Sequence, residues 1–572
     1  MEIIRVDMSK KEIKTGQMPP EYEEWGGRGL TSLMIHDEVN PACDPLGPEN
    51  KLIIAPGFLS GTGFVNTSRV SIGAKSPLTG GIKESNAGGT AGALLGRMGI
   101  GCMVIEGSSK DDSLHLLKIS NTGGCELIPA DEYKGMRTYR LVESLHETYG
   151  KKNTILCIGP AGEFQLSSAS IQATDMDGRP CRAAGRGGMG AVMGSKGIKA
   201  VIIEQGGKSK AEFADPEAFK TAGKTYANIT KEHPFTGKML PALGTAGLVG
   251  PVNSLGAFPT RNATQGTMAG WEEISGESLA KMISQRKGNP THLGCSQCIV
   301  RCSNEFLDSE GQYVTSSLEY ETIWAMGGMT GITDLDVIAN LDFLSDDIGL
   351  DTMNTGVAIG VAMDAGQAEF GDSQAALEMM EEIAAGSEWG RALGNGPDQV
   401  GKHLNHHRVP TVKGQSIAAY DPRGMQGNAV TYATSTMGAD HTTGNLVGLY
   451  LGGVLDPLGT EGQVEASRNA QMMMAMVDWT GLCLLASAPV NTPDGKTAFI
   501  DAVNAKAGTK YTFEDLMAKS IQILKAERAF NRSAGLSKKD DRLPDFFYKE
   551  PLPPHNKVVL LSGEDMDRVF DF

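Results

Sequence analysis

Long apolar runs are missing from this chain of 572 residues: no stretch of 18 consecutive apolar residues occurs, so no segment is expected to cross a membrane as a helix. The opening run Met1-Glu2-Ile3-Ile4-Arg5-Val6-Asp7 reads as a short strand without the apolar core of a signal peptide, and the expected compartment is the cytoplasm. Cysteine is scarce. Nine in so long a chain make no disulfide scaffold, and an odd number without an export signal favours reduced thiols or a metal centre. Positive charge is in deficit, 52 Lys and Arg against 68 Asp and Glu for a net charge of −16, which excludes nucleic acid as the main partner. Aromatics are only 6%, yet 40% hydrophobic and 21% charged residues are the balance of a folded globular chain.

Glycine, by contrast, is abundant: 73 residues, about twice the usual ~7%. It has no G-X-Y period, so collagen is excluded, and the backbone must instead approach something closely at many points. A chain of this length buries enough surface to enclose a large cofactor. The fold class expected is α+β. Residues 1–206 alternate short β-branched runs (Lys51 to Ala55, Cys102 to Glu106, Lys199 to Glu204) with Gly, Ser, Thr and Asn clusters, and read as a strand-rich domain. Asp215-Pro216 then reads as an N-cap with Pro at the first helical position, and helical periodicity dominates from there. A polar break containing Pro410 divides the helical part into residues 207–412 and 413–572.

Cys295-Ser-Gln-Cys298-Ile-Val-Arg-Cys302 places three thiols around one loop. Four-iron clusters take four thiolates, the last often distant in sequence. Structural zinc sites more often pair their ligands two and two, and only one cysteine group occurs here. A zinc site and plain buried thiols remain as alternatives. Cys43, Cys102, Cys125, Cys157 and Cys181 are isolated and expected to pack in cores.

No long repeat period is visible, but one short echo is. Asp346-Asp-Ile-Gly349-Leu350-Asp351 and Asp478-Trp-Thr-Gly481-Leu482-Cys483 share the form D-x-x-G-L-[DC]. The first follows a capping-box-like Thr333-x-x-Asp336 and an apolar stripe of Val337, Leu341, Leu344 and Ile348; the second follows Ala466, Ala470, Met473 and Val477. Gly349 and Gly481 are placed to end these helices in the left-handed conformation, with Leu350 and Leu482 folding back. An Asp in the last helical turn opposes the macrodipole, by about 0.3–1 kcal/mol. Two such placements beside two identical turns suggest a ligand with adjacent N–H donors, such as an amino-pyrimidine edge. Where the first copy has Asp351 the second has Cys483, which makes Cys483 the candidate fourth thiolate.

Three glycine loops read as anion cradles: Trp25-Gly-Gly-Arg-Gly-Leu30, Ser85-Asn86-Ala87-Gly88-Gly89, and Arg182-Ala-Ala184-Gly185-Arg186-Gly187-Gly-Met-Gly190. The third has G-x-G-x3-G spacing with no clear strand before it, so it is no dinucleotide fingerprint; Ser195 before Lys196 breaks a Walker A loop.

As a set, these features resemble the aldehyde ferredoxin oxidoreductase family of tungsten enzymes, over essentially the whole chain. The residues that carry the resemblance are Thr67-Ser-Arg69, Lys75-Ser-Pro-Leu-Thr-Gly80, Ser85 to Gly89, Arg186 to Lys196, the cysteine triplet, Glu319-Tyr-Glu-Thr322, both D-x-x-G-L turns, and Tyr420-Asp-Pro-Arg-Gly-Met-Gln-Gly427. The resemblance implies tungsten, or molybdenum as in some relatives, held by two pterins with no protein ligand, above a strand-rich base. It also implies one 4Fe-4S cluster on Cys295, Cys298, Cys302 and Cys483. Asp346, Gly349, Leu350 and Asp351 would hold one pterin, and Asp478, Gly481 and Leu482 the other. Asn86 and a carbonyl near Ala184 would complete a magnesium ion bridging the pterin phosphates, with Ala87, Gly88, Gly185, Arg186, Gly187 and Lys75 among the cofactor contacts and Arg69 between cluster and pterin.

For the chemistry, the resemblance implies a glutamate base and a hydrogen-bonding histidine, mapped to Glu321 and His441, with Glu319 as the alternative base. The implied reaction is oxidation of a small aldehyde to a carboxylic acid, electrons leaving for ferredoxin or a small iron–sulfur subunit. Two other readings stay open: a catalytic subunit like that of benzoyl-coenzyme A reductase, and a non-catalytic iron–sulfur electron-transfer subunit. A homodimer or hetero-oligomer is expected. Some relatives bind a metal at a two-fold interface through a Glu and a His of each subunit, but Asn340 stands near the position of that Glu here.

Overall fold

The computed structural model describes residues 1–109, 113–207 and 209–571. Twelve strands fill the first 203 residues and form two six-stranded sheets. The first is built from β1 (Glu2–Asp7), β2 (Glu12–Gln17), β3 (Leu52–Pro56), β4 (Val70–Lys75), β5 (Ile82–Ala87) and β6 (Ile100–Glu106), in the order β2-β1-β6-β3-β4-β5. The second holds β7 (His115–Ile119), β8 (Cys125–Pro129), β9 (Thr154–Cys157), β10 (Ile171–Ala173), β11 (Arg182–Ala184) and β12 (Ile198–Ile203), in the order β8-β7-β12-β9-β10-β11.

The two orders are the same topology used twice. In each sheet one pair is parallel, β1 with β6 and β7 with β12, and every other pair is antiparallel. The helices match too: α1 (Gly27–Glu38) and α2 (Ala91–Arg97) in the first half correspond to α3 (Thr138–Tyr149) and α5 (Met189–Ser195) in the second, with a single turn α4 (Pro160–Glu163) inserted between. This duplication went unseen in the sequence, where only the short D-x-x-G-L echo is visible. The offset between halves shrinks from 113 residues (Glu2 to His115) to 98 (Ile100 to Ile198), so no fixed period survives.

The sheets pack on a shared apolar core that includes Ile4, Ile54 and Ile72 from the first, Leu117, Leu156 and Val201 from the second, and Leu95 and Val192 from α2 and α5. The outer face of the first sheet is covered by α1 and by helices from the far end of the chain, with Trp25, Leu30, Trp479 and Ile523 in one cluster. After β12 the chain is mainly helical. α6 (Pro216–Glu232) starts as the sequence implies, with Asp215 Oδ1 accepting from Ala218 N at 3.0 Å and Pro216 at its first turn. The small hairpin Thr411–Val412 with Gln415–Ser416 lies near the polar break read in the sequence. Among the described residues no helix is long and apolar enough to cross a membrane.

Two helices carry the echoed turns, Leu335–Ile348 and Gln463–Thr480, and both end on a left-handed glycine, Gly349 at φ 82° and Gly481 at φ 79°. Leu350 N donates to Ser345 O at 2.8 Å, the back-folded closure such a glycine permits, and Leu350 and Leu482 are buried. Two local expectations need correction. The first helix is capped by Asp334, whose side chain accepts from Asp336 N, and not by Thr333. In the second, the buried face is turned one residue from the alanine–methionine stripe: Ser467 and Gln471 are buried because they bond Thr431 and Thr434 of the neighbouring helix, at 2.7 and 3.0 Å.

Each turn docks on the loop after a corresponding strand. Gly57 follows β3, and a Cβ there would fall on the Cα of Gly481; Gly159 follows β9, and a Cβ there would fall on the Ile348 carbonyl and lie 3.0 Å from Gly349 N. Backbone bonds lock both contacts: Phe58 N and Leu59 N donate to Trp479 O and Thr480 O (3.0 and 2.8 Å), and Ser170 N donates to Gly349 O (2.9 Å). A methyl at either position has no room to relax, so Gly57→Ala and Gly159→Ala should each destabilise the protein by about 1–3 kcal/mol. Gly16→Ala, with nothing within 4 Å of the added carbon, is the control; denaturant midpoints equal to the control's would contradict these contacts.

Candidate functional site

The turns, the glycine loops and the cysteines converge between the duplicated sheets and the helical part. Each echoed turn meets the N-terminus of a helix from one half of the duplication. Thr138 Oγ1 of α3 donates to Asp346 O at 2.8 Å and Tyr139 N to Asp347 Oδ1 at 3.1 Å, while Gly27 of α1 leaves no room for a Cβ beside Asp478 O. Neither Asp is a solvated surface charge. Burial, then the charge of Asp342, pushes the Asp346 carboxyl well above the ordinary range. Burial, then Glu84, raises Asp478 to about 7 against the pull of Arg28, whose Nη1 lies 3.2 Å from Asp478 Oδ2. Arg28 is itself committed to Glu527, with Nε and Nη2 donating to its two oxygens at 2.9 Å. Asp351 Oδ1 caps the next helix through Met353 N (3.0 Å), and Arg186 Nε lies 3.5 Å from its other oxygen.

The glycine loops flank this floor. Gly88 approaches so closely that a Cβ would lie 2.6 Å from Cys295 Sγ and 3.1 Å from Arg69 Nη1, and Gly89 N donates to Cys295 Sγ at 3.3 Å. Asn86 sits at the end of β5; its amide nitrogen donates to Ser71 Oγ and Glu84 Oε1, both at 3.3 Å, so Oδ1 stays available. Ala87 pairs with Val70 and Ala184 with Ile171 in their sheets. Arg186 reaches across to the helical part, donating to Ala439 O at 2.9 Å and Ser416 O at 2.6 Å, and Gly187 O accepts from Ser76 Oγ at 2.7 Å. Lys75 departs from the expected cofactor contact: its ammonium donates to the carbonyls of Pro41 and Cys43 at 2.6 and 2.7 Å, so it closes a loop of the first half.

The three clustered cysteines and Cys483 share one environment. Burial, then the neighbouring Cys295, raises the Cys298 thiol to about 11, and Cys302 is pushed well up by burial, Glu319 and Cys483. Burial works against the charges on Arg69 and Arg182, but Cys483 and Cys295 in the first case, and Cys295 and Cys181 in the second, hold them protonated. Four ligands around one zinc ion at 2.3 Å would stand about 3.8 Å apart. Among the described residues no three cysteine sulfurs come within 4.8 Å of one another. One residue that sequence reasoning missed joins the two cysteine segments: Asn66, left-handed at φ 61°, accepts from Cys483 N (2.9 Å) and, through Oδ1, from Ile299 N (3.1 Å), and its own N–H donates to Gln297 O (3.0 Å).

Glu321 and His441 come together. Glu321 lies in the one-turn helix Tyr320–Ile323, which runs into a π-helical turn at Trp324–Gly328, and His441 opens the 3-10 turn His441–Thr443. His441 Nε2 is 3.2 Å from Glu321 Oε1, and Ala419 N donates to Glu321 Oε2 at 2.9 Å. Burial raises the Glu321 carboxyl, with His441 and the Ala419 N–H in opposition. Glu319 is elsewhere: it meets Arg182 at 3.2 Å, on the cysteine side, and is 36% exposed against 18% for Glu321. Lys83 and Asp440, also missed in the sequence, form a buried pair at 2.6 Å next to His441; burial alone would raise Asp440, but Lys83 and Arg186 hold it well below the usual carboxylate range.

Several buried polar atoms in this region make no aligned hydrogen bond within the chain: Nε and Nη2 of Arg182, Nε of Arg186, Oδ2 of Asp351, Oε1 of Glu321, Nδ1 of His441 and Nε1 of Trp479. Buried polar groups are ordinarily satisfied, and orphans gathered from both halves of the site are the mark of a polar ligand. The residues present therefore fit a polar cofactor that offers both donors and acceptors.

Known proteins are similar to this chain over nearly its whole length. The family model described as aldehyde ferredoxin oxidoreductase, N-terminal domain, matches residues 3–205, and that for domains 2 and 3 matches residues 221–571. The tungsten-containing aldehyde ferredoxin oxidoreductases of Pyrococcus furiosus and Thermococcus kodakarensis are each 34% identical, covering 96% and 99% of this chain and 91% and 94% of their own. An aliphatic sulfonate oxidoreductase, WOR-like subunit, from Pyrococcus furiosus is 26% identical over 96% of the chain and 89% of its own length. Among solved structures, the active site complex BamBC of benzoyl coenzyme A reductase superposes with a TM-score of 0.81, at 20% identity, over 100% of this chain and 93% of that one, a likeness of fold.

Asp342 and Asp478 are both raised to about 7, above the unfolded value near 3.9. Native chains therefore hold protons that unfolded chains have released between about pH 4 and 7, and stability falls as pH rises through that window. In protein prepared without cofactor, the denaturation midpoint should drop between about pH 5 and about pH 7.5, and Asp478→Asn should remove part of that drop. A variant with the wild-type slope would count against the buried, underpaired carboxyl.

Proposed function

The chain belongs to the aldehyde ferredoxin oxidoreductase family, and from that premise we propose that it oxidises an aldehyde and water to a carboxylic acid, releasing two electrons and two protons. The observation that carries the reading is the Glu321–His441 pair, held at 3.2 Å in a region where several buried polar atoms make no aligned hydrogen bond within the chain. A tungsten bis-pterin held there would supply the two-electron redox chemistry, and a 4Fe-4S cluster, which Cys295, Cys298, Cys302 and Cys483 would hold, a one-electron exit.

The side chains divide the remaining work. The two echoed turns would hold one pterin each, with the desolvated carboxylates of Asp346 and Asp478, and Asp351 Oδ2, as acceptors for the heterocycles' N–H groups. Asn86 Oδ1 and a backbone carbonyl near Ala184 would supply hard oxygen ligands of the kind that suits magnesium, and Gly88, Gly185 and Gly187 would let the backbone approach. Arg69 and Arg182 offset thiolate charge beside the cluster. Glu321, with its carboxyl raised by burial, is matched to take a proton from water or the hydrated aldehyde, and His441 to donate a hydrogen bond to the substrate oxygen. Electrons leave toward ferredoxin or a small iron–sulfur subunit, which for a chain of net charge −16 needs a local basic or apolar dock.

The relatives include a sulfonate oxidoreductase subunit, so the substrate class is the part most in need of measurement. Anaerobically purified protein should contain tungsten, or molybdenum, and four irons per cluster, and should reduce a viologen with aldehyde. Glu321→Gln should lower kcat about 10²–10⁴-fold with the metals retained, Glu319→Gln should leave most activity, and Asp346→Ala with Asp478→Ala should release the metal. Stoichiometric zinc without tungsten, molybdenum or iron would overturn the proposal. Viologen reduction with thioesters alone would move the chain to the benzoyl-coenzyme A reductase type, and retention of iron with no pterin to an electron-transfer subunit.

A further inference from the structure

The turn between β10 and β11 carries Asp175 and Asp177, and His292 ends the strand Asn289–His292, three residues before Cys295. Nε2 of His292 lies 2.8 Å from Asp177 Oδ2 and 3.7 Å from Asp175 Oδ2. One ligand atom from each of the three residues falls within 4.8 Å of the other two, the sole such trio of His, Cys, Asp or Glu among the described residues.

Each member is held from behind. Asp175 is buried, and its Oδ1 accepts the N–H groups of Asp177 and Arg179, both at 2.9 Å, which turns Oδ2 toward the histidine; Cys181 Sγ stands 3.3 Å from that oxygen. His292 is buried too, and its Nδ1 is 3.1 Å from Ser303 Oγ, which is 2.7 Å from Ser317 Oγ. A ring fixed through one nitrogen so that the other faces two carboxylates is the arrangement that supports a ligating histidine. Asp177 is half-exposed and leaves the site open to solvent. Of the nearby guanidiniums, Arg179 meets Glu305 at 3.2 Å and Arg182 meets Glu319 at 3.2 Å.

We propose that Asp175, Asp177 and His292 form a mononuclear site for a divalent transition-metal ion, zinc or iron(II), bound by two carboxylate oxygens and one imidazole nitrogen with water completing the shell. One imidazole among oxygens selects for such ions over calcium or magnesium. An imidazolium, the competing occupant, has one N–H to offer on this side, whereas a dication serves both carboxylates at once. The site is separate from the cysteine cluster but mechanically linked to it: Thr90 N donates to Thr174 O at 3.3 Å, and the adjoining Gly89 N donates to Cys295 Sγ. A bound ion would clip the approach to the cysteine loop onto the second sheet, whatever the enzyme oxidises.

The test is metal binding by the holoenzyme, stripped of loosely bound ions by dialysis against a mild chelator and titrated anaerobically with Co²⁺. The expected result is one Co²⁺ per chain, with the visible absorption of a low-coordinate N,O site, displaced by Zn²⁺, while cluster iron is unchanged. Asp177→Asn and His292→Gln should each weaken binding by at least about tenfold. Should His292→Gln fail to fold, Asp177→Asn, at a half-exposed position, decides alone. Absence of stoichiometric Co²⁺ binding, or equal binding by Asp177→Asn and the unaltered protein, would overturn the site and assign the trio to a histidinium ion pair.

Discussion

Backbone laid directly on backbone at two places is the constraint from which the rest of this molecule follows. Gly57 meets Gly481, and Gly159 meets the Ile348–Gly349 peptide, with no side chain between. These contacts set each helix end on one half of a duplicated sheet scaffold, so two like turns dock at corresponding places. The departure from symmetry is chemical: Asp351 ends the first turn as a helix cap, Cys483 ends the second and faces three other thiols.

Charge follows from that geometry. Bringing the helix ends inward buries Asp346 and Asp478 where the macrodipole already disfavours them, and the chain answers only one of them with a direct cation, Arg28. Arg28 in turn is shared with Glu527. Breaking one partner of such a buried pair costs about 3–5 kcal/mol, so the floor of the site is stiff even where its upper polar atoms lack partners. Stiff support beneath unsatisfied groups is what a preorganised binding site requires.

Much of this could be read from the residues. The cysteine spacing, the repeated D-x-x-G-L and the two terminal glycines are local signals, and local geometry realised them at Gly349 and Gly481. Glu321 and His441 were legible only through family resemblance, since 120 residues separate them. Asn66, the Lys83–Asp440 pair and the Arg28–Glu527 pair gave no signal, because each is defined by a partner hundreds of residues away or by a single left-handed backbone position. The duplication of the sheets hid behind unequal loops. Where pattern misled, tertiary bonding decided: Lys75 found carbonyls to bond, and Gln471 was buried because Thr434 was there to receive it.

The Arg28–Glu527 bond spans 499 residues and the Arg28–Asp478 bond 450. During synthesis, one half of the site can assemble once Asp351 has left the ribosome, but the other waits for the helix that carries Glu527, almost the last of the chain. Until then Arg28 stands without Glu527 and Asp478, and the first sheet lacks its outer cover of Trp479 and Ile523. The nascent protein is therefore a half-closed shell for most of its translation. The last hundred residues thus close the wall that the first hundred begin, so the two ends of the chain fold as one unit.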